Sequence, residues 1–243
     1  MRRGITIVRD TNTVLVISPH AKIKISENPT EGVERRISMI IKFFINKSRK
    51  IITLEPSDLQ KDENAQNVIR EYFYTFDFIK IKNMRLGSYF LSLNPFFYYV
   101  LFKLLKQYSL SVIIISFPWG VFSTWAVAKK IFKLDIVIIH DSHNVESEYA
   151  KIIMKDKDIP KMIKLFYFIT IRLIEKLALR YADYTLAISY ENKRVFVDKY
   201  RVNPEKIRVV PPNTYIENSS LARQNLKKNQ DLKFMWYFME FIG

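Results

Sequence analysis

The strongest constraint on this chain is an alternation of short apolar, β-branched runs with segments of helical spacing. Thr13-Val-Leu-Val-Ile-Ser18 is the first run, and a polar loop from Pro19 to Glu31 follows it. Val33, Ile37, Ile40, Ile41, Phe44 and Ile45 then recur at helical intervals and predict a helix. Lys50 to Leu54 reads as the second strand, Glu55 to Asn67 as loop, and the alternation from Tyr74 to Ile81 as the third strand. Asn94-Pro95 opens a helix through about Tyr108, with Asn as cap and Pro in the first turn. Val112–Ser116, Asp135–His140, Tyr184–Ser189 and Ile207–Val210 read as further strands. Helical patterns fill Val121–Phe132, Glu146–Met154, Lys161–Ala182 and Glu191–Tyr200. Strands that alternate with helices pair in parallel through crossovers. The predicted fold is therefore α/β, a Rossmann-like three-layer domain with a mainly parallel sheet. Ligands of such sheets bind beyond the carboxyl ends of the strands, so the loops after Ser18, Ser116, His140, Ser189 and Val210 form the expected functional edge.

Composition removes several kinds of chemistry. With no cysteine, disulfides, thiol catalysis and Cys-ligated zinc are excluded, and His20, His140 and His143 are too few and too poorly spaced for a zinc site. The net charge of +15 favours anionic partners such as nucleic acid, anionic lipid or phosphorylated ligands, although genomic composition produces the same bias. No helix-turn-helix, zinc-finger or RNA-binding aromatic signature accompanies the charge, so no nucleic-acid partner is expected. Arg9 and Asp10 interrupt any secretory apolar region. Gln107 to Ala128 carries no charge, but Pro118 and Gly120 split it, and a strand, a loop and a helix start explain it better than a membrane span.

Several residues carry candidate chemistry, each beside a plainer reading. Gly32 opens the first helix, where a helix N-terminus can face an anion. His140-Asp-Ser-His-Asn-Val-Glu146 follows a strand and can orient a polar ligand and move protons; alternatively, Asp141 or Asn144 caps the next helix with Glu146 in its first turn. Trp119, in a strand-end loop, is the better sugar-stacking candidate, while Trp125 and Trp236 read as core. Asn94 to Tyr108 is aromatic on a scale that suits either packing or a lipid-linked acceptor. Lys161 to Ala182 sets Met162, Leu165, Phe166, Ile169, Leu173 and Leu177 among Lys161, Lys164, Arg172, Lys176 and Arg180. A basic amphipathic helix can lie on anionic membrane. The favoured reading here is an apolar face in the core and charges in solvent.

An ordered set of motifs resembles the N-terminal half of the retaining GT-B glycosyltransferases of family 4. The set comprises Gly32-Val-Glu-Arg-Arg36, Phe117-Pro-Trp-Gly120, Asp141-Ser-His-Asn-Val-Glu146, Glu175-Lys-Leu-Ala-Leu-Arg-Tyr-Ala-Asp183, Ala187-Ile-Ser189 and Val209-Val-Pro-Pro-Asn213, and covers about residues 13 to 216. The resemblance implies a two-domain enzyme with a cleft between Rossmann-like halves, the N-terminal half binding the acceptor. His143 falls where the family places a histidine beside the donor sugar, and is the implied catalytic residue. Gly32, Trp119, Asp141, Asn144, Ser189 and Asn213 are the implied substrate-binding positions. Two departures stand out: Glu31 occupies the place of a second glycine, and Thr214 that of the glycine after Asn213.

The implied organisation is a domain over residues 1–216, a linker over 217–231 and a remnant first strand of a second domain over 232–243. A chain truncated there lacks the donor clamp and is expected to be inactive alone. Its co-substrate would be a nucleotide sugar, with no other cofactor and no metal. Expected partners are a glycan or lipid-linked acceptor, a separate donor-domain chain, and the inner face of an anionic membrane reached from the cytoplasm. The alternatives are a non-catalytic glycan-, lipid- or protein-binding module and, more weakly, a nucleic-acid binder.

Overall fold

In a computed structural model, residues 13–20, 23, 32–47, 49–57, 68–75, 80–81, 84–85, 87–155 and 160–211 are described. Strands β1 (Thr13–Ile17), β2 (Lys50–Pro56) and β3 (Val68–Phe73) precede a short pair, β4 (Lys80–Ile81) and β5 (Met84–Arg85). Strands β6 (Leu110–Ser116), β7 (Val137–Asp141), β8 (Tyr184–Ala187) and β9 (Ile207–Val209) follow. The helices are α1 (Gly32–Asn46), α2 (Pro95–Gln107), α3 (Val121–Trp125, continued by a π-turn over Ala126–Ile131), α4 (Glu146–Lys155), α5 (Lys161–Tyr181) and α6 (Tyr190–Tyr200).

Seven strands form one sheet in the order β3-β2-β1-β6-β7-β8-β9, and every pairing in it is parallel. The chain winds outward from β1 to β3, then returns to β6 on the other side of β1. The direction of winding reverses between β1 and β6, and the crevice beyond their carboxyl ends is the ligand position of an open α/β sheet.

Alternation along each strand builds two cores. Leu15, Ile17, Ile52, Leu54, Ile113, Ile115 and Ile138 face one way, against α2, α3 and α5. Val14, Val16, Ile51, Val112, Ile114 and Ile139 face the other way, against Ile37, Ile40, Ile41, Phe43 and Phe44 of α1. Burial on both faces explains why these strands read as continuous apolar runs. The expected cap of α2 is present: the Asn94 side chain accepts the N–H of Phe96 at 2.9 Å and of Phe97 at 3.3 Å, with Pro95 behind it.

Three expectations are corrected. The third sheet strand is Val68–Phe73 rather than Tyr74–Ile81. It is an edge strand, where charge is tolerated; Arg70 reaches back to Glu55 at 3.1 Å, and Tyr74 already lies in solvent. Trp119 is buried, only 1% exposed, within a 3-10 turn over Pro118–Gly120, so its indole packs in the core and offers no open stacking face. That turn needs its glycine, because a Cβ on Gly120 would meet Leu91 at 2.9 Å. Finally, α5 turns Ile171, Glu175, Ala178 and Leu179 inward, while Met162, Leu165, Phe166, Ile169 and Leu173 are exposed. Gln107 to Ala128 is a strand, a turn and a helix, and among the described residues no helix is long and apolar enough to cross a membrane. Asn213, Trp236 and the segments 217–231 and 232–243 lie outside the described residues.

Candidate active site at the carboxyl edge

The parallel sheet brings the loops of interest to one edge. Gly32 begins α1 after β1, Trp119 follows β6, Asn144 and His143 follow β7, and Ser189 follows β8. Asp141 is the last residue of β7.

At the centre is a buried relay. Arg36 lies on the inward face of α1, 0% exposed, and its Nε donates to Asp141 Oδ1 at 2.6 Å. Its other nitrogens donate to the carbonyls of Val210 and, at 3.4 Å, Leu186. One guanidinium therefore ties α1 to the carboxyl ends of β7, β8 and β9, a fork that only arginine can make. The second Asp141 oxygen stands 3.3 Å from Nε2 of His143. Burial alone would raise the Asp141 carboxyl, but the guanidinium and His143 outweigh it and hold the group well below the usual carboxylate range. Asp141 is thus ionised beside the His143 imidazole, although neither its Oδ2 nor His143 Nε2 makes a well-formed hydrogen bond among the described residues. Asp141 is fully buried and His143 nearly so, at 5% exposed.

The outer face of His143 is set by Phe117, whose ring lies 4.7 Å away at 31°. His20, from the loop after β1, meets Phe117 edge-on with ring centroids 5.0 Å apart. Phe117 adopts φ 70, a left-handed conformation that costs a bulky residue on the order of 1–3 kcal/mol. The ring contacts with His143 and His20 are among those that hold Phe117 in this conformation at the reversal point of the sheet. Burial, reinforced by His143, lowers the His20 pKa to about 4, and burial lowers that of His140 to about 3, so both rings are neutral at pH 7. Both nitrogens of His140 and the hydroxyl of Ser116 are buried without a hydrogen-bond partner among the described residues. Unpaired buried polar groups are rare in proteins, and these lie on adjacent strands at the ligand edge.

The other motif residues are supports. Glu175 caps α4 by accepting the N–H of Glu146 at 2.6 Å and of Ser147 at 3.3 Å, and the Tyr200 hydroxyl also bonds it. Asp183 accepts the N–H of Ile138 at 2.8 Å and the Lys129 ammonium at 2.6 Å, fixing the start of β7. Ser189 caps α6 by accepting the N–H of Asn192 at 3.1 Å. Asn144 is half-buried and its carbonyl accepts the Ser142 hydroxyl at 2.8 Å. Gly32 is exposed, and a Cβ there would meet nothing within 4 Å, so local packing does not require the glycine. No cluster of metal-ligating side chains is present among the described residues.

Glu146 carries a testable consequence. Burial and the neighbouring Glu175 charge push its pKa up to about 8, and its Oε1 has no hydrogen-bond partner among the described residues. The folded state therefore holds a proton that the unfolded chain releases near pH 4.5, and stability falls as pH rises from there to about 8. His20 and His140 act oppositely, but only below about pH 6.5, where the unfolded chain protonates. Between pH 6.5 and 8 the Glu146 slope remains, up to about 1.4 kcal/mol per pH unit. Glu146→Gln is expected to flatten it in urea unfolding across that range; an unchanged slope would assign the effect elsewhere.

Sequence reasoning missed Arg36 and His20 as parts of this cluster. Arg36 was detectable: it lies three residues after Val33 and four before Ile40, on the apolar stripe of α1.

An open parallel sheet with its polar cluster at the reversal point is the architecture of one Rossmann-like half of a GT-B glycosyltransferase. The chain belongs to Glycosyltransferase Family 4, whose family model matches residues 30–213. Sucrose-phosphate synthase from Thermosynechococcus elongatus is similar in structure, with TM-score 0.54 and 12% identity over 82% of this chain and 48% of that one. UGT2 of Phytolacca americana, solved with UDP-2fluoro-glucose and pterostilbene, gives TM-score 0.53 and 12% identity over 89% of this chain and 57% of that one. At these identities the likeness shows the fold. The chain spans about half the length of both structures. Comparison with curated proteins finds no match.

Proposed function

We propose that this domain is the acceptor-binding half of a nucleotide-sugar-dependent glycosyltransferase, which transfers its sugar with retention to a cell-surface glycan or glycolipid. The observation that carries the reading is the Arg36–Asp141–His143 relay at the carboxyl edge. Sugar transfer requires a reacting centre held in fixed orientation and a diphosphate whose growing charge is stabilised. The relay supplies the first: Asp141 fixes His143, and Phe117 packs one face of its ring. The positively polarised N-terminus of α1 at Gly32 supplies part of the second. The remaining donor contacts belong to a facing Rossmann half, in the same polypeptide or another. The nucleotide-sugar analogue bound by the Phytolacca americana protein supports the class of donor. Its acceptor is not carried over.

Nucleotide-sugar turnover tests the proposal. The purified 243-residue chain, given a panel of nucleotide sugars and membrane extract as acceptor, is expected to show no appreciable transfer. Adding soluble extract from source cells lacking the chain, as a supply of a separate donor half, is expected to bring transfer above the extract alone. Robust turnover by the isolated chain would overturn the half-cleft account.

A further inference from the structure

We infer that Ser116 is a positioning residue of the carboxyl edge: its hydroxyl, Asp141 Oδ2 and His143 Nε2 together bind one internal water molecule, which fixes the His143 proton on Nε2. Nothing in this depends on the transferase reading, because the site belongs to the free domain and is read out without a sugar.

Sheet register brings the three groups together. Ile114 of β6 and Ile139 of β7 pack on the α1 side, so strand alternation turns Ser116 and Asp141 to that same side. The two are register partners on neighbouring parallel strands, so their side chains stand next to each other. Arg36 takes Oδ1 of Asp141 and leaves Oδ2 for another donor. Nε2 of His143 lies 3.3 Å from that Oδ2. Ser116 is 1% exposed and Asp141 0%, yet the Ser116 hydroxyl, Asp141 Oδ2 and His143 Nε2 have no hydrogen-bond partner among the described residues. Buried polar atoms are nearly always paired, so three orphans in one place point to a shared partner. His140 takes no part, because alternation turns it to the opposite face of the sheet, the side of Ile138.

Chemistry selects that partner. Ionised Asp141 only accepts, His143 donates from Nε2, and the Ser116 hydroxyl does either. A cation is disfavoured by the Arg36 guanidinium on the same carboxylate, and an anion by the carboxylate itself. Water donates to Asp141 and accepts from Ser116 and His143, about the three hydrogen bonds usual for a buried water. Two acceptors at Nε2, the water oxygen and Asp141 Oδ2, set the tautomer of the ring. With Nε2 enclosed, Nδ1 is the only ring nitrogen a ligand can reach, and it keeps its lone pair.

The test compares the full wild-type chain with Ser116→Thr, which keeps a hydroxyl, and Ser116→Val, which has the same shape without one. High-resolution crystal structures are expected to show a water oxygen within about 3.2 Å of all three atoms in wild type and Ser116→Thr, and none there in Ser116→Val. In imidazole nitrogen-15 spectra of the neutral ring, the Nε2–H form of His143 should be favoured at least about tenfold in wild type and Ser116→Thr, and at least about threefold less in Ser116→Val. A direct Ser116–Asp141 hydrogen bond with no water, a water that persists in Ser116→Val, an Nδ1–H form in wild type, or one tautomer ratio in all three proteins would overturn the inference. The wild-type water and tautomer decide the matter even where Ser116→Val fails to fold. Neither readout uses sugar transfer, so a failure of transfer counts against the transferase reading alone.

Discussion

Replacing Arg36 with methionine is expected to destabilise the domain by about 3–5 kcal/mol, the usual cost of stranding one member of a buried ion pair. Methionine keeps much of the volume, so the loss is electrostatic. Asp141 would remain fully buried with only His143 near it, and the Leu186 and Val210 carbonyls would lose a donor. Lysine should recover only part of the loss, since one ammonium cannot reproduce the planar fork. Arg36→Met/Asp141→Leu should recover more than Arg36→Lys, because it removes the stranded charge itself. The measurement is the urea midpoint at constant slope. Acid dependence offers a second readout. The folded carboxyl of Asp141 is held low, so its contribution is present above the unfolded value of about 4 and fades as pH falls below it. Arg36→Met should shrink that acid-side loss. A midpoint shift worth less than about 1 kcal/mol would mean that Asp141 is not the stranded charge pictured here.

The layer structure was legible in the sequence because both faces of the sheet are buried. Runs such as Val14–Ile17 and Val112–Ile115 need no partner information to be read as strands. The edge strand was harder: Arg70 and Glu71 break the apolar run, and the aromatic alternation beyond it drew the boundary too far along the chain. Periodicity established that α5 is amphipathic, but not which of its two apolar faces the sheet would take. Trp119 shows the limit of reading exposure from a loop position, since a single 3-10 turn rotates it inward. The candidate site was legible as a place, but its tertiary contacts were not. His143 and Asp141 were found from their strand-end position and from the family resemblance. The hand of Arg36 from another helix is a tertiary contact across 105 residues, and the left-handed Phe117 leaves no trace in composition.

His143→Ala is expected to reduce sugar transfer by at least about a hundredfold, in the range associated with losing a positioned proton-transfer or polar group at a reacting centre. The imidazole is nearly enclosed, 5% exposed, with Asp141 Oδ2 3.3 Å from its Nε2 and the Phe117 ring 4.7 Å away. Its removal leaves Arg36 paired with Asp141, so the fold should survive and the loss should appear in turnover rather than in stability. His143→Gln, which keeps a polar group, should retain more activity than alanine if orientation of the sugar is the larger contribution. The most direct test is therefore transfer of labelled sugar in the complemented preparation, with wild type and His143→Ala supplied at equal amounts of folded chain. Incorporation that depends on the wild-type chain and falls at least about a hundredfold with His143→Ala is the predicted result. Equal incorporation by the two chains would contradict the placement of the reaction at this edge.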